Sequence, residues 1–160
     1  MFREQKRFKN QNPVKEEPDK MIRNYRETDL DKMVDLWYNA SVSAHPFIPA
    51  SFWASQKKAM REKYLPFAEN FVFEEKGQVL GFISLAGSKI CALFVSPDVQ
   101  GRGIGKALLR YAKVLRGKLT LKVYKENETA LEFYKRCGFI ITGEEIDEYT
   151  GCPQFLMKWD

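Results

Sequence analysis

Apolar residues along this chain switch repeatedly between two spacings. Ile22–Tyr25 is a short first strand. Leu30, Met33, Val34, Trp37 and Ser41 then fall at helical intervals, which predicts a helix to about Ala44 behind a Thr28–Asp31 capping box. His45-Pro46 ends it, because proline disfavours helical backbone in the residue before it. A second helical stretch runs from about Ser51 to Leu65. Phe71–Glu75 and Val79–Ala86 flank Lys76-Gly77-Gln78 as a hairpin. Ile90–Val95 is a continuous apolar run, the mark of a strand buried on both faces, with Cys91 inside it as an inert thiol. Ile104, Ala107, Leu108, Tyr111, Ala112 and Leu115 form the apolar stripe of a long helix that Gly117 stops. Leu119, Leu121 and Val123 alternate with Thr120, Lys122 and Tyr124, a strand with two unlike faces. Asn127 caps a short helix through Arg136, and Gly138 terminates it. Phe139–Asp147 and Gln154–Lys158 close as a hairpin around Thr150-Gly151. The order β, α, α, β, β, β, α, β, α, β, β describes a mixed α/β sheet with helices on both faces.

Composition sharpens this picture at the ends. The chain has 160 residues, 44% of them hydrophobic, which suits one domain over residues 21–160. Residues 1–20 hold six basic and four acidic side chains and two prolines, with only Met1, Phe2, Phe8 and Val14 apolar. They read as a disordered tail or a non-native extension ahead of Met21, with a partner-binding basic arm as the alternative. No apolar run is long enough for a membrane span, and the N-terminus has no apolar segment of a secretory signal. The three cysteines, Cys91, Cys137 and Cys152, lack metal or disulfide spacing. They are expected as free thiols in a cytoplasmic protein that holds no metal. Net charge is +5, which suits a polyanionic small molecule as well as a nucleic acid.

The segment Val99-Gln100-Gly101-Arg102-Gly103-Ile104-Gly105-Lys106 carries the chemistry. It lies between the apolar strand and the long helix, where unpaired helix N–H groups and the dipole favour an anion. Glycines let a ligand approach the backbone, and Arg102 and Lys106 add charge. The loop is not a Walker A motif, because Gln100 and Ala107 stand at required glycine and hydroxyl positions. It is not a dinucleotide fingerprint either, because Lys106 and Leu108 occupy the positions of the third glycine.

Gln100-Gly101-Arg102-Gly103-Ile104-Gly105 matches the Q/R-x-x-G-x-G/A loop of the GNAT superfamily of acyl-CoA-dependent N-acetyltransferases. Asn127 to Phe139 matches the family's N-x-x-A-x-x-F-Y-x-x-x-G-F segment. The chain resembles that family over residues 21–160, and His45-Pro46-Phe47-Ile48 is similar to its small bacterial YiaC/YjaB-type members.

The resemblance implies a mostly antiparallel sheet splayed between strands four and five, with acetyl-CoA in the wedge. It implies that backbone groups of Leu93, Phe94 and Val95 pair with the pantetheine arm and that amides of Gln100, Gly101, Arg102, Gly103, Ile104, Gly105 and Lys106 hold the pyrophosphate. Asn127 would reach the pantetheine. The implied reaction is direct attack of a primary amine on the thioester in a ternary complex. Tyr134 occupies the position of the general acid for the departing thiolate. The acceptor is left open among a protein lysine, a protein N-terminus and a small amine. Lys122 stands where some relatives that act on N-termini place a glutamate base. His45, the single histidine, is open as a base, a helix-ending residue or an acceptor contact, with Phe47 beside it. The acidic run Glu144, Glu145, Asp147 and Glu148 reads as a solvated hairpin edge or a lure for a cationic acceptor. Eight basic and no acidic residues between Val99 and Lys125 suit an anionic cosubstrate. A non-catalytic acyl-CoA sensor and a nucleic-acid binder are the competing readings, and neither nucleic acid nor membrane is an expected partner of the monomer or homodimer.

Overall fold

A computed structural model describes residues 20–160. The chain runs β1 (Lys20–Asn24), α1 (Leu30–Ala44), α2 (Ala50–Ala59), β2 (Glu69–Glu75), β3 (Gln78–Ala86), β4 (Lys89–Val95), α3 (Ile104–Arg116), β5 (Leu119–Tyr124), α4 (Glu128–Arg136), β6 (Ile140–Ile146) and β7 (Pro153–Trp159). This is the alternation that the hydrophobic pattern predicts. The expected tail over residues 1–20 lies outside the described residues except for Lys20, which opens β1 opposite Glu75.

The seven strands form one sheet in the order β1-β2-β3-β4-β5-β7-β6. Every neighbouring pair is antiparallel except β4 with β5. Alternation along the strands, reset in β3 and β4 by register shifts at Leu80 and Cys91, divides the side chains between two cores. On one face Phe71, Ile83, Leu85 and the odd-numbered residues of β5 meet Ile104, Leu108, Leu109 and Ala112 of α3 and Leu131 and Tyr134 of α4. On the other, Val72, Val79, Phe82 and Ala92 meet Leu30, Met33, Val34 and Trp37 of α1 and Trp53 of α2.

Several local expectations are corrected. The Thr28–Asp31 capping box is replaced by a turn of 3-10 helix, Glu27–Asp29, that leads directly into α1. The Asp29 carboxylate accepts the Arg26 N–H at 2.7 Å and pairs with Arg23 at 2.8 and 3.1 Å, while Arg23 also reaches Glu74 at 3.2 Å. A charged clamp therefore joins β1, the helix entrance and β2. Helix α2 continues through a π-helical turn, Met60–Tyr64, to Leu65. Buried Asn70 accepts the Ser84 hydroxyl and donates to the Leu65 carbonyl at 2.6 Å, fixing this turn to the sheet. In α3 the inward position goes to Leu109, and Leu115 is exposed. β4 is not buried on both faces, since Cys91 is exposed and Leu93, Phe94 and Val95 are half-buried. Cys91 falls at a register shift between β3 and β4, where Leu85 pairs with Ile90 and Ser84 with Ala92, and Leu93, Phe94 and Val95 lie beyond the point where β4 meets β5.

Candidate active site

β4 and β5 meet at a single parallel register pair, Lys89 with Thr120, beside which the Thr120 N–H donates to the Ser88 carbonyl at 2.9 Å. Beyond it they diverge. β3 pairs along β4 as far as Gly81 opposite Val95. Leu93, Phe94 and Val95 are thus hydrogen-bonded on one edge and open into a wedge on the other. An open strand edge offers N–H and C=O groups to an extended ligand.

The glycine loop stands at the mouth of this wedge. Gln100 donates its side-chain amide to the Val95 carbonyl at 3.2 Å, which ties the loop to the end of β4. Gly101 and Gly103 adopt φ of 82° and 83°. A Cβ at either would meet nothing within 4 Å, so backbone conformation rather than crowding demands glycine there. Gly103 precedes α3, and no side chain caps that helix. Its first amides, at Ile104, Gly105 and Lys106, therefore have no intrahelical acceptor and carry the positive end of the dipole. Lys106 is exposed and makes no ion pair among the described residues. Arg102 instead forks onto Glu75 at 3.0 and 3.1 Å. These backbone groups, with Lys106, suit a diphosphate.

Helix α4 closes the wedge from the α3 side. A Cβ on Gly105 would lie 3.6 Å from the Phe133 ring and 3.7 Å from Val95, so α4 packs on the first turn of α3. Sequence spacing suggests that one of Phe133 and Tyr134 packs while the other faces the cleft. In the structure the two rings touch, 5.2 Å between centroids, and Tyr134 is the more buried at 9% exposure. Phe139 meets Tyr134 from the other side at 5.6 Å. The Tyr134 hydroxyl makes no hydrogen bond among the described residues. Burial, with a smaller contribution from Cys137, lifts its pKa well above the ordinary phenol value. It therefore keeps its proton through neutral pH and can act as an acid.

The acceptor side is aromatic. His45, 7% exposed, lies between the rings of Trp53, Phe47 and Tyr124, at 5.2, 5.6 and 5.1 Å. Its Nε2 is 3.2 Å from Asn127 Nδ2, although 82 residues separate the two in sequence. Asn127 Oδ1 accepts the Ala130 N–H at 3.2 Å and caps α4. The Asn127 side chain is thus engaged by the helix and by His45. Burial holds the His45 pKa below its ordinary value, with the Ser41 backbone carbonyl opposing. Phe47 also lines a surface cleft of about 240 Å³ with Ile48, Pro49, Phe52, Tyr149 and Thr150.

Most of the charges singled out in the sequence neutralise one another. Lys122 pairs with Glu145 at 2.7 Å and Lys125 with Glu144 at 3.2 Å, while Asp147 accepts the Tyr124 hydroxyl. Arg116 pairs with Glu69, and Lys113 donates to the Cys137 carbonyl. The acidic run is therefore a paired edge, with Glu148 beside the Tyr149 phenol.

Both the sequence and the fold are matched in known proteins. The sequence profile of the acetyltransferase (GNAT) domain matches residues 66–141. Peptidyl-lysine N-acetyltransferase YiaC of Escherichia coli is 38% identical over 140 residues, 87% of this chain and 96% of that protein. The chain belongs to the GNAT acetyltransferase family. Peptidyl-lysine N-acetyltransferase YjaB of Escherichia coli is 35% identical over 86% of this chain and 93% of its own length. The solution structure of YjaB in its apo form superposes with a TM-score of 0.78 at 32% identity, over 87% of this chain and 96% of that one. The PaiA N-acetyltransferase of Thermoplasma acidophilum, solved with coenzyme A, shares the fold with a TM-score of 0.75 at 19% identity, over 87% of this chain and 97% of that one. This GNAT protein is an acetyl-CoA-dependent N-acetyltransferase.

Sequence reasoning singled out His45 and Asn127 separately, and the structure brings them together. The available signal was His45 standing before a proline, which holds it at φ −124° off the end of α1. The Tyr124 hydroxyl ties the β6–β7 hairpin to β5, a role that strand alternation does not signal.

Proposed function

We propose that this enzyme acetylates the side-chain amine of protein lysines. The observation that carries the reading is the aromatic cleft beside Tyr124, formed at the surface by Phe47, Phe52 and the exposed Tyr149. Aromatic walls suit the aliphatic stem of a lysine and tolerate its ammonium before the proton leaves. The names of the two Escherichia coli relatives support the same acceptor class.

Acetyl-CoA supplies the activated acetyl group as a thioester. The open edge at Leu93, Phe94 and Val95 takes the pantetheine arm, and the amides from Gln100 to Lys106 take the diphosphate. Tyr134, kept protonated by burial, gives its proton to the departing sulfur, and the proton released by the attacking nitrogen restores the phenol. Lys122, neutralised by Glu145, raises no barrier to an incoming cation. We place the reaction in the cytoplasm, with an amine-bearing protein as partner, no role for nucleic acid or membrane, and a monomer or homodimer as the working unit.

The test is incubation with acetyl-CoA and a panel of lysine peptides, N-terminal peptides blocked at lysine, and polyamines, read by release of coenzyme A and by mass spectrometry. Acetylation of lysine side chains in preference to the other amines is expected. Turnover confined to small amines would overturn the acceptor assignment.

A further inference from the structure

The geometry points to His45 as a positioning residue, locked in its Nδ1–H form, that holds Asn127 and through it the head of the helix carrying Tyr134. Hydrogen-bond polarity places the ring's proton. Asn127 Oδ1 receives the Ala130 N–H at 3.2 Å, so a flipped amide would set two donors against each other. The Asn127 group that faces His45 is therefore the NH2. Its partner, His45 Nε2 at 3.2 Å, must present a lone pair, and the single proton of the neutral ring sits on Nδ1. An imidazolium would turn an N–H against that NH2.

The surroundings keep the ring in place and uncharged. Phe47, Trp53 and Tyr124 contact it on three sides. The influences on its ionisation are burial and the Ser41 backbone carbonyl, with no charged side chain among them. Tyr124 is the titratable group in contact with it, and that phenol is pushed upward by burial and Asp147, so it stays neutral too. Nδ1 is buried and has no hydrogen-bond partner of good geometry among the described residues.

The consequence for catalysis is specific. With the Nε2 lone pair engaged and Nδ1 protonated, His45 has no free lone pair for the acceptor ammonium. It acts instead by linking the loop that lines the acceptor cleft to the N-cap of α4. Helix α4 sets where Tyr134 stands, so the kinetic part of this inference rests on Tyr134 serving the leaving sulfur. The tautomer itself does not.

One histidine in the chain makes the experiment direct. In full-length protein labelled with nitrogen-15, two-bond ring correlations should show a protonated Nδ1 and a bare Nε2 at neutral pH. An Nε2–H ring, or fast exchange between tautomers, overturns the assignment. In Asn127→Asp the carboxylate still caps Ala130 but can only accept, so the proton should move to Nε2; an unchanged ring would also overturn it. His45→Gln keeps an acceptor near the Nε2 position, and His45→Phe removes it while filling the aromatic cage. His45→Phe should lower kcat about tenfold with little change in the KM for acetyl-CoA, and His45→Gln should recover most of that loss with the acid limb of the pH–rate profile in place. Equal loss in both variants, with that limb abolished, would make His45 the base and sink the proposal. If Tyr134→Phe leaves turnover unchanged while the ring shows the expected tautomer, the acid assignment fails and the His45–Asn127 link stands.

Discussion

Tyr134 and Asp29 show how one side chain's surroundings decide its use. Tyr134 sits among apolar side chains, and burial stabilises its neutral form. Replacing it with Phe removes one oxygen that hydrogen-bonds to no described residue, so the fold should tolerate the change. Steady-state assays should show kcat reduced by about tenfold or more with the KM for acetyl-CoA nearly unchanged. Asp29 is instead held ionised by hydrogen bonds from Arg23, against burial and with help from the Arg26 N–H. Its folded pKa lies below the unfolded value. Its contribution is thus complete above the ordinary aspartate range and is lost as pH falls through the depressed folded pKa. Asp29→Ala leaves Arg23 half-paired on Glu74 and should cost about 3 kcal/mol, read as a lowered denaturant midpoint. The variant should also lose part of the acid sensitivity that the wild type shows in the same titration.

At the scale of elements, the strand-to-helix turn before α3 is shaped by backbone conformation. Gly103→Ala introduces no clash, because the space around its Cβ is open, but it forces a left-handed φ on a residue with a Cβ, at about 1–2 kcal/mol. Relief of that strain would also turn the peptide units that open α3. Calorimetry should show coenzyme A affinity lowered by about tenfold or more, and circular dichroism should show α3 intact. The backbone of this turn was legible in the sequence, because glycine spacing is a local signal, whereas the pairing of Arg102 with Glu75 on β2 was not. The two amphipathic strand faces of β5 and the stop at Gly117 were legible too. The exposure of Cys91 was not, since the apolar run around it says nothing about the register shift between β3 and β4, which pairs Ile90 and Ala92 and skips Cys91. Leu109 and Leu115 are both apolar and near the edge of the stripe, and only the tilt of α3 on the sheet selects between them. The His45–Asn127 contact and the Asp29 clamp join residues through the fold, and no periodicity carries such pairings.

For the whole molecule, binding and folding are linked through the wedge. A ligand that binds only the folded chain stabilises it by about 2.7 kcal/mol at a concentration one hundred times its dissociation constant. For a domain of this size that is a rise in melting temperature of about 5–10 °C. Coenzyme A should give that shift by calorimetry or fluorimetry, and adenosine alone, without the diphosphate or the pantetheine, should give little of it. The contact between β4 and β5 at Lys89 and Thr120 makes the sheet two panels that share one seam, β1 to β4 and β5 to β7. An extended arm lying along β4, as proposed above, would border that seam as a borrowed strand, so the occupied protein should exchange its β4 amide hydrogens far more slowly and resist proteolysis. Release of the product thiol should return those amides to fast exchange, so the protection tracks the state of the cosubstrate through turnover.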